Sequence, residues 1–404
     1  MSLKYKIAFN TIIQFLGRFL TSFLGFITTV ILARYLGAYQ FGVYAKIYTL
    51  AAFFFLFVDF GLNAIYVRRY KDDLKQFWHV FVLRTLFFVL SLLMIGVFFL
   101  LTGNSVFSAQ EKIWVILFAP TILFFAYYTT LNIIFQLKLR YDLSVLAAII
   151  GAVIALLLLI STLKFGFVFA IISFVIGYAI TVGFAFYFAK KIAKFSLKPS
   201  AFNTPYFKGF VKEALPLGAM LFLNTVYTRV DIFILSALRG DTVVGIYQLA
   251  YKFFEFPLAF ATFFANAIFP FYVMTYKEDQ PRFWRTFKKA TLYLVLSSII
   301  FTAGAWLIAP YLGLIKDDYI PSAQPLKILA LSYPIFFLTS AFSWLMVVQK
   351  REKSLIWVYA LGFLLNIVLN FIFVPQFSYL AASWVTVISE VFILFWLVVL
   401  VWKR

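Results

Sequence analysis

Twelve long apolar runs fill this 404-residue chain, at about 9–34, 41–66, 77–101, 112–137, 142–163, 166–189, 213–237, 244–270, 284–308, 325–348, 354–374 and 379–402. Runs of about twenty apolar residues are long enough to cross the ~30 Å hydrocarbon core of a bilayer as helices. Hydrophobic residues make up 64% of the chain and charged ones 12%, whereas a soluble domain is nearer half and a quarter. The predicted fold class is therefore all-α, a polytopic membrane protein of twelve transmembrane helices. The first run is longer than a signal h-region, holds Arg18 and lacks a small-x-small cleavage site, so it reads as a span. Cysteine is absent, which excludes disulfides, thiol chemistry and cysteine-based metal sites.

The net charge of +20 does not indicate a nucleic-acid partner, because its placement follows the membrane. Alternate connections and both termini hold most of the lysines and arginines: Lys4 and Lys6; Arg68, Arg69, Lys71, Lys75 and Arg84; Lys138 and Arg140; the run from Lys190 to Lys212; Lys277 to Lys289; Lys350 to Lys353; Lys403 and Arg404. The opposite connections hold only Lys112, Lys164, Arg239 and Lys316. The positive-inside rule then puts both termini in the cytoplasm. Trp78, Trp114, Trp284, Trp306 and Trp402 sit at span ends, as interfacial anchors do. The long basic connection at about 190–212 carries Pro199 and Pro205. It reads as a linker, a solvated tether or a segment lying on anionic headgroups, between an N-lobe of 1–198 and a C-lobe of 199–404.

The chain also repeats itself. Gly37, Gly42, Tyr44, Tyr48 and Asn63-Ala64-Ile65 recur as Gly240, Gly245, Tyr247, Tyr251 and Asn266-Ala267-Ile268, each at an offset of 203. Phe77-Trp78 with Phe81 recurs as Phe283-Trp284 with Phe287 at an offset of 206. A fixed offset over such a distance marks two copies of one half. The copies begin six spans apart, so both enter the membrane in the same direction. Two parallel six-helix lobes around a central cavity, with the site between them, are expected from such a repeat.

Ionisable residues within spans are costly, about 3 kcal/mol on insertion scales, and face a wet or paired interior. Arg18 lies on a polar stripe with Asn10, Gln14, Gly17, Thr21, Gly25 and Thr28, at three- and four-residue steps. It is read as a cavity cation, or as one end of a structural salt bridge with Asp59. Asn224, Thr228 and Asp231 form a stripe on the seventh run. Arg229 lies about 200° round that helix from Asp231, and of the two Arg229 is assigned to the cavity. Gln248, Lys252 and Glu255 share a face of the eighth run, and Ser383, Thr386 and Glu390 one of the twelfth. Lys252 and Glu255 can pair. Glu390 is a candidate proton or cation site. Arg34 and Lys46 are expected to snorkel to the outer boundary. His79, the only histidine, is assigned no role. Pro120, Pro216, Pro257 and Pro334 lie in or near spans and read as packing kinks or bending points. Phosphate-loop, zinc-protease and nucleophile-elbow motifs are missing, so the chain reads as no enzyme and without cofactor. Energy would come from a Na+ or H+ gradient, the membrane potential or the substrate gradient.

Asn10, Gly17, Ala33-Arg34-Tyr35-Leu36-Gly37, Phe41-Gly42-Val43-Tyr44 and Asp59-Phe60-Gly61-Leu62 together resemble the start of bacterial oligosaccharide flippases. These form the polysaccharide-exporter branch of the multidrug/oligosaccharidyl-lipid/polysaccharide exporter superfamily. Glu213-Ala214-Leu215-Pro216-Leu217, Asp231 and Gly245-Ile246-Tyr247 resemble the start of that family's second lobe. The resemblance implies flipping of an undecaprenyl-diphosphate-linked glycan from the inner to the outer leaflet of the bacterial cytoplasmic membrane. It also implies membrane lipids, and the glycan polymerase and glycosyltransferases of the pathway, as partners. The assigned substrate-binding residues are Arg18, Gln14, Arg229, Lys252, Asn224, Asn366 and Asn370, with Asn132 a further glycan contact. Asp59, Asp231, Glu255 and Glu390 are the ion-coupling candidates. Some family members carry fourteen spans, and nothing assigned to the extra two transfers here.

The competing readings are a drug or cation exporter of the same superfamily, which would favour an acidic or aromatic cavity, and a membrane-embedded glycan polymerase or ligase, which would need a sizeable outer loop. Reporter fusions test the topology. Fusions after Thr102 and Asp317 should report outside and those after Lys138 and Lys350 inside; the reverse at either inner site breaks the span count.

Overall fold

The computed structural model describes residues 3–70, 74, 77–195, 209–215, 218, 226 and 229–402. Asn224, Thr228, Pro216 and most of the inter-lobe linker lie outside the described residues. The described residues are largely helical, with no strand among them. The helices are α1 (Leu3–Asp59), α2 (Leu62–Tyr70), α3 (Phe77–Thr102), α4 (Ala109–Phe118), α5 (Pro120–Leu137), α6 (Tyr141–Thr162) and α7 (Phe167–Ile192). They continue as α8 (Asp231–Arg239), α9 (Asp241–Glu278), α10 (Gln280–Ile308), α11 (Ala323–Ala330), α12 (Tyr333–Val348) and α13 (Glu352–Trp402).

Among the described residues, eight helical stretches are long and apolar enough to cross a membrane, or nine if the bent pair at 317–330 and 333–348 is one span. Two of the eight are double length, Ile12–Tyr70 with 59 residues and Glu352–Trp402 with 51. Each contains one non-helical residue near its middle, Gly37 (φ 71°, ψ 175°) or Ser378 (φ 56°, ψ −138°), and the first breaks again at Phe60-Gly61. The seventh apolar run is only partly described. With the two long helices read as hairpins, these helices are consistent with twelve crossings.

The chain divides into two compact units, Met1–Ile31 with Lys46–Val226, and Leu32–Ala45 with Tyr227–Arg404. In the first unit α6 and α7 run closely side by side. A Cβ on Gly151 would lie 1.9 Å from Thr181 Oγ1, and one on Gly177 would lie 2.5 Å from Ala155 Cβ. Small residues four apart allow this approach, which replaces the missing hydrophobic drive between helices in lipid.

Arg84 is the most deeply buried cation of the first unit. The sequence places it in a basic connection, but it lies inside α3 and is fully buried. Its guanidinium donates to Val58 O (3.2 Å), Asp59 O (3.4 Å), Asp59 Oδ1 (2.8 Å), Asn63 Oδ1 (2.9 Å) and Thr130 Oγ1 (2.8 Å). These partners surround the break between α1 and α2, where Phe60 (φ 45°) and Gly61 (φ 69°) turn the chain. A cation at a helix C-terminus receives its unpaired carbonyls and opposes its dipole. Asp59 is thus the partner of Arg84 rather than of Arg18.

Lys46 also departs from expectation. It does not snorkel: its ammonium is buried, 3.1 Å from Glu111 Oε2 and 2.6 Å from Val106 O, over the Phe107 ring. Glu111 belongs to a capping box with Ser108 at the start of α4. The same Oε2 accepts the Ser108 N–H at 2.8 Å. One carboxylate therefore ends a helix and neutralises a buried lysine. Arg34 is exposed.

In the second unit the repeat becomes geometric. Gly37 and Gly240 adopt nearly the same left-handed conformation, φ 71°, ψ 175° and φ 84°, ψ 171°, each at the start of a span. Five residues on, Gly42 and Gly245 meet the other copy's turn. A Cβ on Gly42 would lie 1.8 Å from Asp241 O, and one on Gly245 would lie 1.9 Å from Ala38 O. Asp241 is the repeat equivalent of Ala38, so the contact is reciprocal. Asp318 accepts the Ala38 N–H at 3.1 Å, and Tyr319 donates to Ala33 O at 3.1 Å.

The turns at 138–140 and 349–351 match as well, at an offset of 211 that the sequence comparison does not reveal. Leu139 (φ 51°) and Lys350 (φ 58°) are both left-handed. Arg140 N donates to Phe135 O at 2.8 Å, and Arg351 N to Met346 O at 2.9 Å. This six-to-one bond is the Schellman closure of a helix C-terminus.

Two predictions follow from these contacts. Gly245→Ala should reduce stability by about 1–3 kcal/mol, the usual cost of overpacking, whereas Gly304→Ala, whose added Cβ meets open space, should be neutral. Arg84→Ala should cost roughly 3 kcal/mol or more, because it strips a buried carboxylate and two helix-end carbonyls of their partner. Both are read as the temperature at which the detergent-solubilised protein loses monodispersity.

Candidate functional site

The ionic group of the second unit is built on α9 and on Arg229, two residues before α8. Lys252 and Glu255 are three residues apart and fall on one face of α9. Lys252 Nζ lies 2.8 Å from Glu255 Oε2, and Arg229 Nη2 lies 2.7 Å from Glu255 Oε1. Two cations thus meet on one carboxylate, with Asp231 within electrostatic reach of Arg229. The side chains are partly open, at 15% exposure for Arg229, 22% for Lys252 and 36% for Glu255. Such a group can exchange its internal carboxylate for an external anion.

The neighbouring acids are closed. Asp231 is buried at the first turn of α8. It accepts from Tyr247 OH at 2.6 Å and from Ile232 N at 2.9 Å. Arg229 and Asp231 point to different partners, as their angular separation requires, but both partners belong to α9. Glu390, on α13, is 1% exposed and within electrostatic reach of Tyr251 and Tyr359. Gln248 is buried on α9. Asn366 and Asn370 are buried one turn apart on α13, with Asn370 Nδ2 donating to Asn366 Oδ1 at 2.9 Å and to Asn366 O at 3.0 Å.

In the first unit Arg18 is exposed and Gln14 half-buried on α1. The adjacent Gly17 is pressed against Val145 of α6, and Arg18 is within electrostatic reach of Tyr141. Asn132 accepts from Ser144 Oγ at 2.5 Å, and Ser144 also bonds Tyr128 OH at 2.9 Å. Asp59 is held by Arg84. Among the sequence-assigned residues, the structure brings together Arg229, Lys252 and Glu255, and separately Asn366 and Asn370.

Three polar partnerships escaped the sequence reading: Arg84 with Asp59, Lys46 with Glu111, and Tyr247 with Asp231. The capping-box spacing Ser108-x-x-Glu111 was a signal for the second. The other two pair residues from separate helices, and no local pattern announces them. Among the described residues, no cluster of histidine, aspartate and glutamate could hold a metal ion.

This architecture is shared with solved transporters. The chain is similar to a lipid II flippase, MurJ, in an inward closed conformation, with TM-score 0.79, 18% identity, and 96% of this chain and 86% of that one covered. It is similar to a multidrug resistance MATE family transporter of the MOP superfamily in its inward-facing conformation, with TM-score 0.75, 15% identity and 94% of both chains covered. An outward-facing structure of such a transporter gives TM-score 0.64 at 16% identity, covering 98% of this chain and 95% of that one. These identities speak for the fold alone. A search of curated proteins by sequence finds no match. The MatE family model matches residues 216–372, and the model described as "Polysaccharide biosynthesis protein" matches residues 7–276. The latter takes in two thirds of the chain: this all-α polytopic membrane protein, whose fold is like that of the solved flippase and transporters, belongs to the polysaccharide biosynthesis protein family.

Proposed function

We propose that the chain flips an undecaprenyl-diphosphate-linked oligosaccharide across the bacterial cytoplasmic membrane by alternating access, for surface polysaccharide biosynthesis. One observation carries this beyond family membership: the partly open group in which Arg229 and Lys252 both meet Glu255. A diphosphate needs cations in a low-dielectric setting, where each close charge pair contributes about 4 kcal/mol at an effective dielectric of 20, before desolvation. Arginine suits it further because its fork binds phosphate bidentately. Arg18, exposed on α1, is the proposed headgroup cation of the first unit, with Gln14 one turn before it, and Asn224, Asn366 and Asn370 are the proposed glycan contacts.

Glu255 then has a defined task. Without substrate it holds both cations. A diphosphate that takes over their charge releases the carboxylate, which becomes free to bind a proton or Na+. Substrate and coupling ion are thereby linked through one residue, with Asp59, Asp231 and Glu390 as the other acids in reserve. Glycosyltransferases that build the lipid-linked unit and a polymerase that extends it are the partners such a step requires.

The exporter reading has its own support in the MatE match over residues 216–372. It predicts extrusion of cationic dyes and no change in lipid-linked precursors when the protein is lost.

The flippase reading predicts that Arg18→Ala and Lys252→Ala each remove surface glycan and leave lipid-linked precursor on the inner leaflet, with protein abundance near normal. Arg18→Lys should retain part of the activity, since a point charge attracts diphosphate without bidentate geometry. Glu255→Gln should bind substrate at least as well as the parent but lose any dependence of flipping on the ion gradient. Wild-type glycan export in Arg18→Ala, read by surface labelling, would remove that residue from the headgroup site.

A further inference from the structure

An apolar groove of about 520 Å³ lies in the first unit, between α3, α5 and α7. Trp78, Phe81 and Leu86 of α3, Tyr127 of α5, and Val182 and Phe186 of α7 line it. Its volume is within the range of small-molecule pockets. From Trp78 to Leu86 the wall runs eight residues, about 12 Å along the helix at 1.5 Å per residue. That is close to the depth of one leaflet in a ~30 Å hydrocarbon core. Leu86, at the deep end, is 44% exposed, so the groove opens sideways as well as at its mouth. Its polar feature, Thr85 Oγ1 against Tyr127 OH at 3.1 Å, is satisfied within the wall, so the interior offers an entering chain no unmet hydrogen bond.

The mouth has the opposite character. α3 begins there and α7 ends there. Lys190 lies 4.8 Å over the ring of Phe186, a residue of the groove wall. Lys191 and Lys194 follow and are exposed. Phe195 packs on both Phe186 (5.9 Å) and Phe77 (5.2 Å), which fastens this basic end of α7 to the foot of α3. Among the described residues, no acidic side chain pairs with Lys190, Lys191 or Lys194. An apolar slot one leaflet deep with cations at its interfacial end complements a lipid whose chain is apolar and whose head is anionic.

We propose that this groove is a binding site for an anionic phospholipid of the inner leaflet, one acyl chain lying between α3, α5 and α7 and its phosphate meeting Lys190, Lys191 and Lys194. The site is independent of the transported substrate. It would tie α7 to α3 through the lipid and make the first unit sensitive to the charge of its membrane.

The chain has no cysteine, so a single reporter can be introduced cleanly. Leu86→Cys is labelled with bimane and the protein reconstituted in vesicles containing dibrominated phosphatidylglycerol or dibrominated phosphatidylcholine with the same chains. Half-maximal quenching should need several-fold less phosphatidylglycerol than phosphatidylcholine. The difference should vanish in Lys190→Gln/Lys191→Gln/Lys194→Gln and in the groove-filling Val182→Trp. The same label at Leu93, exposed on α3, should show no headgroup preference. Equal quenching by the two lipids at Leu86 overturns the proposal, as does a preference that survives the lysine substitutions. Displacement of phosphatidylglycerol by equimolar polyprenyl diphosphate would also overturn it, by giving the groove to the substrate's tail.

Discussion

A helix that stops leaves its last carbonyls and its first amides without partners in the helix. The chain interrupts its long helices all the same, and each interruption is met by a side chain from elsewhere. Asp318 takes the Ala38 N–H after Gly37. Arg84 takes the carbonyls of Val58 and Asp59 before Phe60. Arg239, from α8, takes those of Val374 and Pro375 before Ser378. At the tighter turns, 138–140 and 349–351, the backbone closes on itself instead. Several charged residues that a census of intramembrane charge would assign to substrate are thus needed by the backbone first. The group of Arg229, Lys252 and Glu255 differs in that two cations meet on one partly open acid.

The two copies share backbone geometry but not charge. Gly37 and Gly240, and Leu139 and Lys350, repeat in conformation. The ionic residues do not. At the offset of 203, the positions matching Arg229, Lys252 and Glu255 are Phe26, Thr49 and Ala52, and the position matching Lys46 is Leu249. The break after Asp59 has no equivalent either, since α9 continues through 262–264. Duplication supplied a frame in which one copy carries buried structural pairs, Arg84 with Asp59 and Lys46 with Glu111, and the other carries the open one.

Helices, long apolar spans and the repeat were legible because they depend on pattern: apolar runs of spanning length and glycines at a constant offset. The pair Lys252 and Glu255 was legible for the same reason, being three residues apart on one helix. What failed was anything resting on contact between helices. Arg84 sits seven residues into α3, and its sequence context, next to a basic connection, says nothing of the helix break it faces. Lys46 was read as snorkelling because its depth is near the boundary; the acid that buries it is 65 residues away. Chain position gives the depth of a charge, whereas its partner is fixed by packing.

The glycine contact in the second unit bears on how such a chain can change. Gly42 is measured against the backbone at Asp241, and Gly245 against that at Ala38. A side chain at either position displaces a turn that the other glycine must also fit, so the two sites cannot drift independently. After a duplication most positions are free to diverge, but a surface that contacts its own copy is restrained by itself. At the turns of Gly42 and Gly245 the two halves both read alike and touch, and the likeness of those glycines in the sequence is a trace of that contact.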